Sequence, residues 1–563
     1  MGERVKVIYI DESRKSSEIE VTMGTSLLEL AAELSVESQY QIVAAYVNNQ
    51  IKELSHKIYK PAKIRYVDIT SFAGMRVYQR TITMVMQCAI EEIMPHRRLA
   101  VRHSMGANGI YCEVESEDGV VGLVYDEVLA IRDKMREIVM GNDPIHREKL
   151  PTEEVYKLYE ERGFDDKLAL LETRPRLYSE LYTLKGTIGY FYGSLAPSTG
   201  YVDLFEIEPY SVGFYLGLPL RCKPSQVSVS PRQEKMFEVF KLHRLWVDVM
   251  DVPSVGALNE KVLAGDSSEM IKLAETLVER ALVNAADMFT AAYAERKCRI
   301  ILLAGPSSSG KTTTAKRLGV HLQVLGFKPV LISLDDYFVD RELTPRDESG
   351  DYDFEALEAI DLERFNANLT ALFNGDSVDI PRYDFITGVS RTHEKPLQLS
   401  SNSILIVEGI HGLNPNLTPQ IDPQQIFRIY ATCFTTVGMD SSSRIASADN
   451  RLLRRLTRDY ATRGSSGQNT LSRWASVRRG EERHIFPYQE NADCMINTAL
   501  FYEIAVLKPY AERILREIPN TGEEFEEAKR MLKFLDQFLI IDPREIPPTS
   551  TLREFIGGGS FSY

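Results

Sequence analysis

Eight residues near the middle of this 563-residue chain have the types and spacing of a phosphate-binding loop. Residues 305–312, Gly-Pro-Ser-Ser-Ser-Gly-Lys-Thr, fit the pattern GxxxxGK[ST]. The glycines of such a loop let the backbone turn tightly, so that its N–H groups converge on an anion. Lys311 would supply positive charge at the β- and γ-phosphates, and the Thr312 hydroxyl would bind Mg²⁺. A helix that begins at the loop would point its positive end at the same phosphates.

The surroundings of the loop favour a nucleotide site over a structural Gly/Ser turn. Five apolar residues, 300–304, precede the loop, and an amphipathic helical pattern with Ala315, Leu318 and Leu322 follows it. A strand, a loop and a helix in this order are the context that the motif requires. The predicted phosphate-binding residues are Gly305, Ser307, Ser308, Ser309, Gly310, Lys311, Thr312 and Thr313.

Two further apolar runs end in acidic residues. Asp335 and Asp336 follow the run that begins at residue 331, and Glu408 follows residues 404–407. The C-terminal ends of the strands line the ligand site in a doubly wound sheet, so we expect these acids beside the loop. A carboxylate there can accept the proton of a hydroxyl that attacks the γ-phosphate, a role that we assign to Asp335. We expect Asp336 to cap a turn and Glu408 to orient Mg²⁺ directly or through water.

Four arginines share one face of a predicted helix. Arg451, Arg454, Arg455 and Arg458 fall at i, i+3, i+4 and i+7, and few acids balance them. A run of charges is usually a solvated face. Because the helix leads into the Gly/Ser-rich residues 463–467 and accompanies a phosphate-binding loop, a lid that closes over phosphates is favoured.

Alternating strand and helix signals predict an α/β sheet around the loop. Apolar runs that suit strands buried on both faces lie at residues 300–304, 330–332, 404–407 and 426–431. Residues 298–510 therefore predict a doubly wound parallel sheet. Residues 226–297 predict a helical connector, and residues 511–563 add helical material and a Gly-rich tail.

The composition limits the classes of function. The formal net charge of −14 disfavours a protein that coats nucleic acid, although a local basic groove stays open. Six dispersed cysteines without metal-ligand or CxxC spacing suit a reducing cytoplasm. The chain has no run of 18 apolar residues and no signal-peptide pattern, so we expect no membrane span.

Residues 1–68 combine strand candidates with one helix that Thr25 or Ser26 could cap. This pattern resembles the TGS module, a ubiquitin-like β-grasp domain, most clearly at residues 23–27, Met-Gly-Thr-Ser-Leu. The resemblance implies a small β-grasp domain at the start of the chain.

Residues 69–225 resemble the editing domain of threonyl-tRNA synthetase. The matching stretches are residues 87–96, which end in Pro-His, residues 109–111, Gly-Ile-Tyr, and residues 197–201, Pro-Ser-Thr-Gly-Tyr. The His-x3-His and Cys-x3-His positions of that family's editing site fall on Arg80, Met84, Phe191 and Leu195. These side chains can neither form a zinc-type ligand set nor supply imidazoles for ester hydrolysis. We therefore expect a binding or structural module without editing activity.

Residues 298–510 resemble the uridine kinase/phosphoribulokinase family. Six features occur in that family's order: the phosphate-binding loop, Asp-Asp-Tyr-Phe at 335–338, Tyr-Asp-Phe at 352–354, Pro-Arg-Tyr-Asp-Phe at 381–385, Glu-Gly-Ile at 408–410, and the arginine motif at 449–459. The resemblance implies that Asp335 is the catalytic base. It also implies that Asp353 and Tyr383 contact a nucleoside, and that Arg454 and Arg458 hold phosphates at the lid.

The resulting hypothesis is an ATP-dependent kinase that uses Mg²⁺. Its catalytic residues are Asp335, Lys311, Arg454 and Arg458. Its acceptor-binding residues are Asp335, Tyr337, Asp353, Tyr383 and Arg391. Its metal ligands are Thr312 and Glu408. The whole arrangement resembles bacterial proteins that carry TGS and threonyl-tRNA synthetase-like domains ahead of a uridine kinase-like domain, and we expect a cytoplasmic homo-oligomer.

One departure loosens the identity of the phosphate acceptor. Gly388 stands near the position of the histidine that reads the pyrimidine in uridine kinases, and the segment is one residue longer before Arg391. His393 is the nearest residue that could replace that histidine. Residues 485–489, Ile-Phe-Pro-Tyr-Gln, resemble phosphoribulokinase-like members. We expect a uridine- or cytidine-like nucleoside, and a sugar or sugar phosphate stays an alternative.

A nucleotide-dependent regulator or RNA-binding switch is a second alternative, because TGS modules also occur in GTPases. Guanine-specific GTPases need an Asn-Lys-x-Asp type motif, and this chain has none. The acidic balance of charge also disfavours RNA as the main partner.

Overall fold

A computed structural model describes residues 3–106, 108–231, 233–347, 350–392 and 396–562. The first elements are β1 (Arg4–Ile10), β2 (Ser16–Thr22), α1 (Leu27–Glu33), β3 (Ala44–Val47), β4 (Gln50–Lys52) and β5 (Ala62–Val67). The strands form a mixed sheet in the order β2-β1-β5-β3-β4, in which β1 and β5 are parallel. Ser26 caps α1 through a capping box: its hydroxyl accepts the Glu29 N–H, and the Glu29 carboxylate accepts the Ser26 N–H.

A second group of elements continues to residue 227. It consists of α2 (Phe72–Ile93), β6 (Arg98–Met105), β7 (Gly109–Ser116), β8 (Gly119–Val121), α3 (Tyr125–Gly141), β9 (His146–Pro151), α4 (Thr152–Arg162), α5 (Asp165–Glu172), β10 (Tyr178–Leu184), β11 (Thr187–Gly189), β12 (Glu206–Tyr210), β13 (Gly213–Gly217), β14 (Pro219–Leu220) and β15 (Lys223–Val227). An antiparallel sheet runs in the order β12-β13-β7-β6, with β8 beside β7, and a smaller sheet runs β11-β10-β9. The apolar face of α2 is buried in the core between these elements.

Three helices connect this part to the rest of the chain: α6 (Glu234–Val249), α7 (Val255–Ala264) and α8 (Ser267–Arg296). The buried side of α8, which includes Val278, Leu282 and Phe289, packs in the same core as the next sheet. The connector is therefore part of a continuous apolar core.

The remaining elements are β16 (Ile300–Ala304), α9 (Lys311–Val324), β17 (Lys328–Ser333), α10 (Leu362–Asn374), β18 (Pro381–Asp384), β19 (Val389–Thr392), β20 (Ser403–Glu408), β21 (Ile426–Thr432), β22 (Gly438–Asp440), β23 (Ser443–Arg444), α11 (Ser447–Thr462), α12 (Gly467–His484), β24 (Cys494–Asn497), α13 (Glu503–Arg516), α14 (Phe525–Leu535) and α15 (Arg553–Ile556). Five of the strands form a parallel sheet in the order β17-β20-β16-β21-β24. The predicted parallel sheet is confirmed, and its predicted strands correspond to β16, β17, β20 and β21. The edge strand β24 was not predicted, because a four-residue run gives little periodic signal.

The central strand β16 is buried on both faces of the sheet. Ile301 and Leu303 point into the core that contains α8, α9 and α13, whereas Ile300 and Leu302 point into the core that contains α10. Alternate residues of a strand face opposite sides, so a strand covered on both sides must be apolar throughout. This burial fixes the C-terminal end of β16, from which the phosphate-binding loop emerges. Among the residues that the structure describes, no helix is long and apolar enough to cross a membrane.

Truncating Leu302 should destabilise the sheet more than truncating a leucine at its edge. Leu302 is 1% exposed and Leu331, on the edge strand β17, is 39% exposed. We expect Leu302→Ala to lower the free energy of unfolding by about 2–5 kcal/mol, because a buried cavity adds to the lost transfer free energy. Urea denaturation followed by the fluorescence of Trp474, which lies in the core on the other face of the sheet, measures the change. The control is Leu331→Ala, and equal effects of the two changes would contradict the assignment of β16 as the buried central strand.

Candidate functional site

The phosphate-binding loop lies between β16 and α9, and its backbone conformation requires glycine at two positions. Gly310, at the N-terminus of α9, has φ 80°, and a Cβ at Gly305 would lie 2.2 Å from the Ala431 carbonyl oxygen. Lys311 Nζ donates to the Pro306 carbonyl at 3.1 Å, so the lysine folds back over the loop. The buried hydroxyls of Ser308 and Ser309 have no hydrogen-bond partner among the described residues. Glycine turns, a lysine and buried donors without partners together fit a phosphate group.

Glu408 ends β20 directly beside the loop. Its carboxylate accepts hydrogen bonds from the Thr312 hydroxyl at 3.0 Å and from the Ser333 hydroxyl at 3.1 Å. Burial raises the pKa of Glu408 to about 7; Lys311 opposes this shift, and the nearby Asp335 adds to it. A buried carboxylate beside a threonine hydroxyl is a hard oxygen donor set, which fits Mg²⁺. A dication there would favour the ionised form of Glu408.

The acids at the end of β17 lie in a short 3₁₀ turn, Leu334–Tyr337. Asp335 is half-buried, and it lies close enough to Glu408 to raise the pKa of that carboxyl. Tyr337 differs from the sequence-based prediction of an acceptor contact. Its side chain is 1% exposed, its hydroxyl accepts from Asn368 Nδ2 at 3.0 Å, and its ring packs edge-to-face on Phe365. Tyr337 is therefore a core residue that supports the turn from behind.

Aromatic rings gather where the acceptor-binding residues were predicted. The Tyr383 ring lies 5.5 Å from the ring of Phe338 and 5.2 Å from that of Phe385, measured between centroids. Phe338 and Tyr383 are buried, unlike the exposed Phe385, so the predicted acceptor residue Tyr383 supports the neighbouring ring from the core. Asp353 does not belong to this group of rings. Its Oδ2 lies 3.7 Å from His484 Nε2, and that histidine lowers the pKa of Asp353. The region therefore offers the ring of Phe385 and a separate, half-buried carboxylate.

The hairpin β18–β19 carries the remaining predicted acceptor residue. The Arg391 side chain is 66% exposed and lies 3.9 Å from the carboxylate of Asp384. At the hairpin turn, Gly388 has φ 76°, and a Cβ there would lie 2.7 Å from the guanidinium of Arg341. Arg341 donates to the Phe385 carbonyl at 2.7 Å, so an arginine packs against the turn at the histidine-like position. His393 lies outside the described residues.

The arginine helix α11 differs from the predicted lid. Leu452, Leu453 and Leu456 anchor the helix in the core. Arg454 is 0% exposed; it pairs with Glu503 and donates to the Ser308 carbonyl at 3.4 Å. The predicted role of Arg454 in contacting phosphates is therefore corrected to bracing the loop from behind.

Other arginines of α11 lie nearer to the site. Arg455 Nη1 donates to the Ser307 hydroxyl at 2.8 Å, and Arg458 pairs with Asp459 at 3.0 Å. The guanidinium carbon of Arg463, which follows the helix, lies 4.4 Å from the ring centroid of Phe385. Burial and Arg458 lower the pKa of Arg463 to about 10, whereas Asp335 opposes this shift. Arg455 thus reaches the loop and Arg463 lies beside Phe385, while Asp459 pairs with Arg455, Arg458 and Arg463.

Two carboxylates near the loop were not predicted from the sequence. Glu355 is buried, and its burial and Glu481 raise its pKa to about 7. Glu554, on α15, accepts hydrogen bonds from the Thr313 hydroxyl at 2.6 Å and the Thr313 N–H at 3.4 Å. This carboxylate lies at the N-terminus of α9, where an anion is electrostatically favoured. No local pattern could have predicted the contact, because 241 residues separate Glu554 from Thr313.

The positions that correspond to an editing site hold no metal-binding set. Met84, Phe191 and Leu195 pack in the apolar core around α2, and Arg80 faces a cavity. In the described part of the chain, no group of three His, Cys, Asp or Glu side chains could hold a metal ion.

Known proteins resemble two separate parts of the chain. The threonine–tRNA ligase of Clostridium kluyveri is 27% identical over 205 residues, which is 36% of this chain and 32% of the ligase. The chain thus spans about a third of the length of that relative. Among solved structures, one described as a possible uridine kinase from Bacillus stearothermophilus aligns with a TM-score of 0.25 at 19% identity, over 36% of this chain and 89% of that one.

The kinase-like part has the more extensive match. The model of the phosphoribulokinase/uridine kinase family matches residues 300–504. The uridine kinase of Staphylococcus aureus is 32% identical over 200 residues, which is 35% of this chain and 86% of that kinase. With most of a uridine kinase covered at this identity, the chain belongs to the phosphoribulokinase/uridine kinase family.

Proposed function

We propose that residues 298–510 transfer the γ-phosphate of ATP to a hydroxyl of a uridine- or cytidine-like nucleoside. The observation that carries the proposal is the meeting of three features at the C-terminal edge of one parallel sheet. These features are the glycine loop with Lys311, the Thr312–Glu408 pair at 3.0 Å, and the half-buried Asp335. A phosphate cradle, a metal-binding pair and a free carboxylate are the parts that phosphoryl transfer uses.

Each of these residues has a defined task in the proposed reaction. The loop N–H groups and Lys311 hold the phosphates, and Asp335 accepts the proton of the attacking hydroxyl. Arg455, Arg458 and Arg463 stabilise negative charge at the mouth of the loop. Mg²⁺, held by Thr312 and Glu408, would neutralise charge on the phosphate oxygens. Catalysis therefore rests on positioning and electrostatics.

An exposed aromatic ring supports a nucleoside as the acceptor rather than a simple sugar. Phe385 is 39% exposed and packs against the buried rings of Phe338 and Tyr383, so it presents an aromatic ring on which a planar base can stack. Asp353 supplies a carboxylate that can accept hydrogen bonds from sugar hydroxyls. A sugar or sugar phosphate stays the alternative acceptor, because Gly388 and Arg341 occupy the place expected for a base-reading histidine.

We also propose a domain assignment for the rest of the chain. Residues 1–68 are a TGS-like β-grasp module, and residues 69–225 are an editing-like module that lacks editing residues. Residues 226–297 connect them to the kinase, and residues 511–563 extend it. The homologous kinases and the dispersed free cysteines support a cytoplasmic protein.

Replacing Asp335 with asparagine should abolish turnover and spare ATP binding. Asparagine keeps the shape of the side chain but cannot accept the proton, and loss of a general base costs about 10²–10⁴ in rate. The measurement is acceptor-dependent ADP release with a panel of nucleosides and sugars, alongside binding of a fluorescent ATP analogue. Asp336→Asn, a change of the adjacent carboxylate, serves as the control. Normal turnover of Asp335→Asn, or ATP hydrolysis indifferent to every acceptor, would refute the assignment.

Binding of Mg²⁺ should weaken as the pH falls through about 7. The raised pKa of Glu408 means that protons compete with the metal in this range. Without metal, ionising the buried carboxyl destabilises the fold, so its favourable contribution is present at low pH and lost as the pH rises through about 7. Glu408→Gln should therefore raise the Tm in EDTA more at pH 8 than at pH 5.5, and should remove stabilisation by Mg²⁺. Thermal denaturation with and without Mg²⁺ tests this, and a pH-independent change in Tm would contradict it.

Replacing Glu554 with glutamine should tighten nucleotide binding a few-fold. The Glu554 carboxylate occupies the Thr313 donors and places negative charge where an incoming phosphate must bind. The measurement is the Kd of an Mg·ATP analogue, with Glu545→Gln as the control because Glu545 is exposed in the same segment. Weaker binding by Glu554→Gln would show instead that Glu554 contacts the nucleotide favourably.

A further inference from the structure

A large cavity lies between residues of the editing-like region and residues of the kinase region. It has a volume of about 910 Å³, which is the size of a site for a nucleotide-sized ligand. Residues of α2 and residues 190–194 form one wall, residues 430–451 form another, and α14 contributes a third. The cavity also reaches Pro306 of the phosphate-binding loop.

The lining of this cavity is strongly basic in a chain whose net charge is −14. Among the described residues, five carboxylates line it, and they belong to Glu180, Asp449, Glu482, Glu490 and Glu526. Twelve cationic side chains of the same described lining face them, including Arg76, Arg80, Arg444 and Arg530. An acidic protein that collects this much positive charge around one space creates a potential that attracts anions.

Several of the cationic side chains are neutralised within the protein. Arg530 pairs with both Asp449 and Glu527, and Arg76 pairs with Glu527 at 2.8 Å. Arg221 lies 3.6 Å from Glu482. Carboxylates also pair with Arg147, Arg176, Arg451 and Arg478.

Arg80 and Arg444 are the two arginines on which the inference depends. Within the described residues, neither has a carboxylate within ion-pair distance. Arg80 Nε donates to the Ser194 carbonyl at 2.9 Å, and its guanidinium carbon lies 2.8 Å from the Cβ that any side chain at Gly193 would add. The glycine thus leaves room for the guanidinium to lie flat against the backbone, with its two terminal nitrogens unpaired.

The electrostatics agree with this geometry. Burial lowers the pKa of Arg80 to about 10, with further lowering by Arg76 and Arg530, and burial also lowers the pKa of Arg444. Asp449 opposes the shift of Arg444, but this carboxylate is bonded to Arg530. Both side chains are half-buried, so leaving their charge unpaired is costly, and a bound anion would offset that cost.

We propose that this cavity binds a phosphorylated small molecule of nucleotide size through Arg80 and Arg444. A guanidinium binds phosphate through two parallel hydrogen bonds, which favours phosphate as the anionic group. Phe72, Tyr190 and Phe434 add aromatic lining for the uncharged part of the ligand. The editing-like scaffold then carries a binding site that uses an arginine at one of the positions where its relatives have histidine. The proposal does not depend on the acceptor of the kinase.

Titration calorimetry on the full chain tests the proposal. The phosphate-binding loop is first saturated with Mg²⁺ and a non-hydrolysable ATP analogue, and the probes are pyrophosphate, uridine 5′-monophosphate and uridine. We expect saturable binding of at least one of the two phosphorylated probes, weakened about tenfold or more by Arg80→Met and by Arg444→Met, since each removes charge-assisted hydrogen bonds. Arg280→Met is the matched control, because Arg280 is exposed on α8 and does not line the cavity.

The outcomes separate this proposal from the kinase proposal. Absence of binding by both phosphorylated probes, or binding that both cavity variants leave unchanged, would overturn the cavity site. Binding of a short single-stranded RNA that needs Arg80, without binding of either phosphorylated probe, would overturn it in favour of a nucleic-acid site. Arg80→Lys keeps the charge, so partial recovery of binding with an unchanged Tm excludes misfolding as the cause of loss. Failure of the ATP analogue to bind would count against the kinase proposal alone, because the comparison of variants still reports on the cavity.

Discussion

Two buried ion pairs hold the phosphate-binding loop in place. Arg451 pairs with Glu481, Arg454 pairs with Glu503, and each arginine also donates to a carbonyl of the loop, Ser307 or Ser308. The N–H and C=O of a trans peptide point in opposite directions, so these two carbonyls leave the N–H groups of Ser308 and Ser309 turned away from the arginines. The Ser307 N–H donates to Glu481 at 3.3 Å. Removing one partner would leave an uncompensated buried charge, which costs about 3–5 kcal/mol. The helices α11, α12 and α13 are thereby fixed to the loop, and the loop's shape depends on them.

This arrangement explains why the sequence predicted the sheet well and the arginine helix poorly. Residues 300–304 of β16 and 404–407 of β20 are continuous apolar runs, and residues 426–431 of β21 are interrupted only by Arg428, because both faces of the sheet are covered. Such patterns are visible without any knowledge of tertiary contacts. The spacing of Arg454 and Arg458 predicts a shared helical face, but spacing does not say whether the face meets water or a carboxylate. Glu481 and Glu503, which neutralise Arg451 and Arg454, lie 30 and 49 residues away.

The same limit applies to the candidate site. The loop, Glu408 and Asp335 could be predicted, since each follows a strand whose C-terminal end must face the ligand. Tyr337 follows the same strand, yet a 3₁₀ turn directs its side chain inward to Phe365. The contacts of Glu554 with Thr313 and of Arg341 with Gly388 join segments that are distant in sequence, so they depend on tertiary packing. Local patterns therefore locate the edge of the sheet where chemistry can occur, and tertiary packing decides which side chains reach it.

Arg451 connects the loop to the rest of the molecule. Its guanidinium donates to the Ser307 carbonyl at 3.0 Å, and its side chain also lines the basic cavity beside the editing-like region. A charge bound in that cavity would change the electrostatic environment of a group that shapes the phosphate-binding loop, at a low local dielectric where such interactions are strong. Arg451 is thus shared between the wall of the cavity and the support of the phosphate-binding loop.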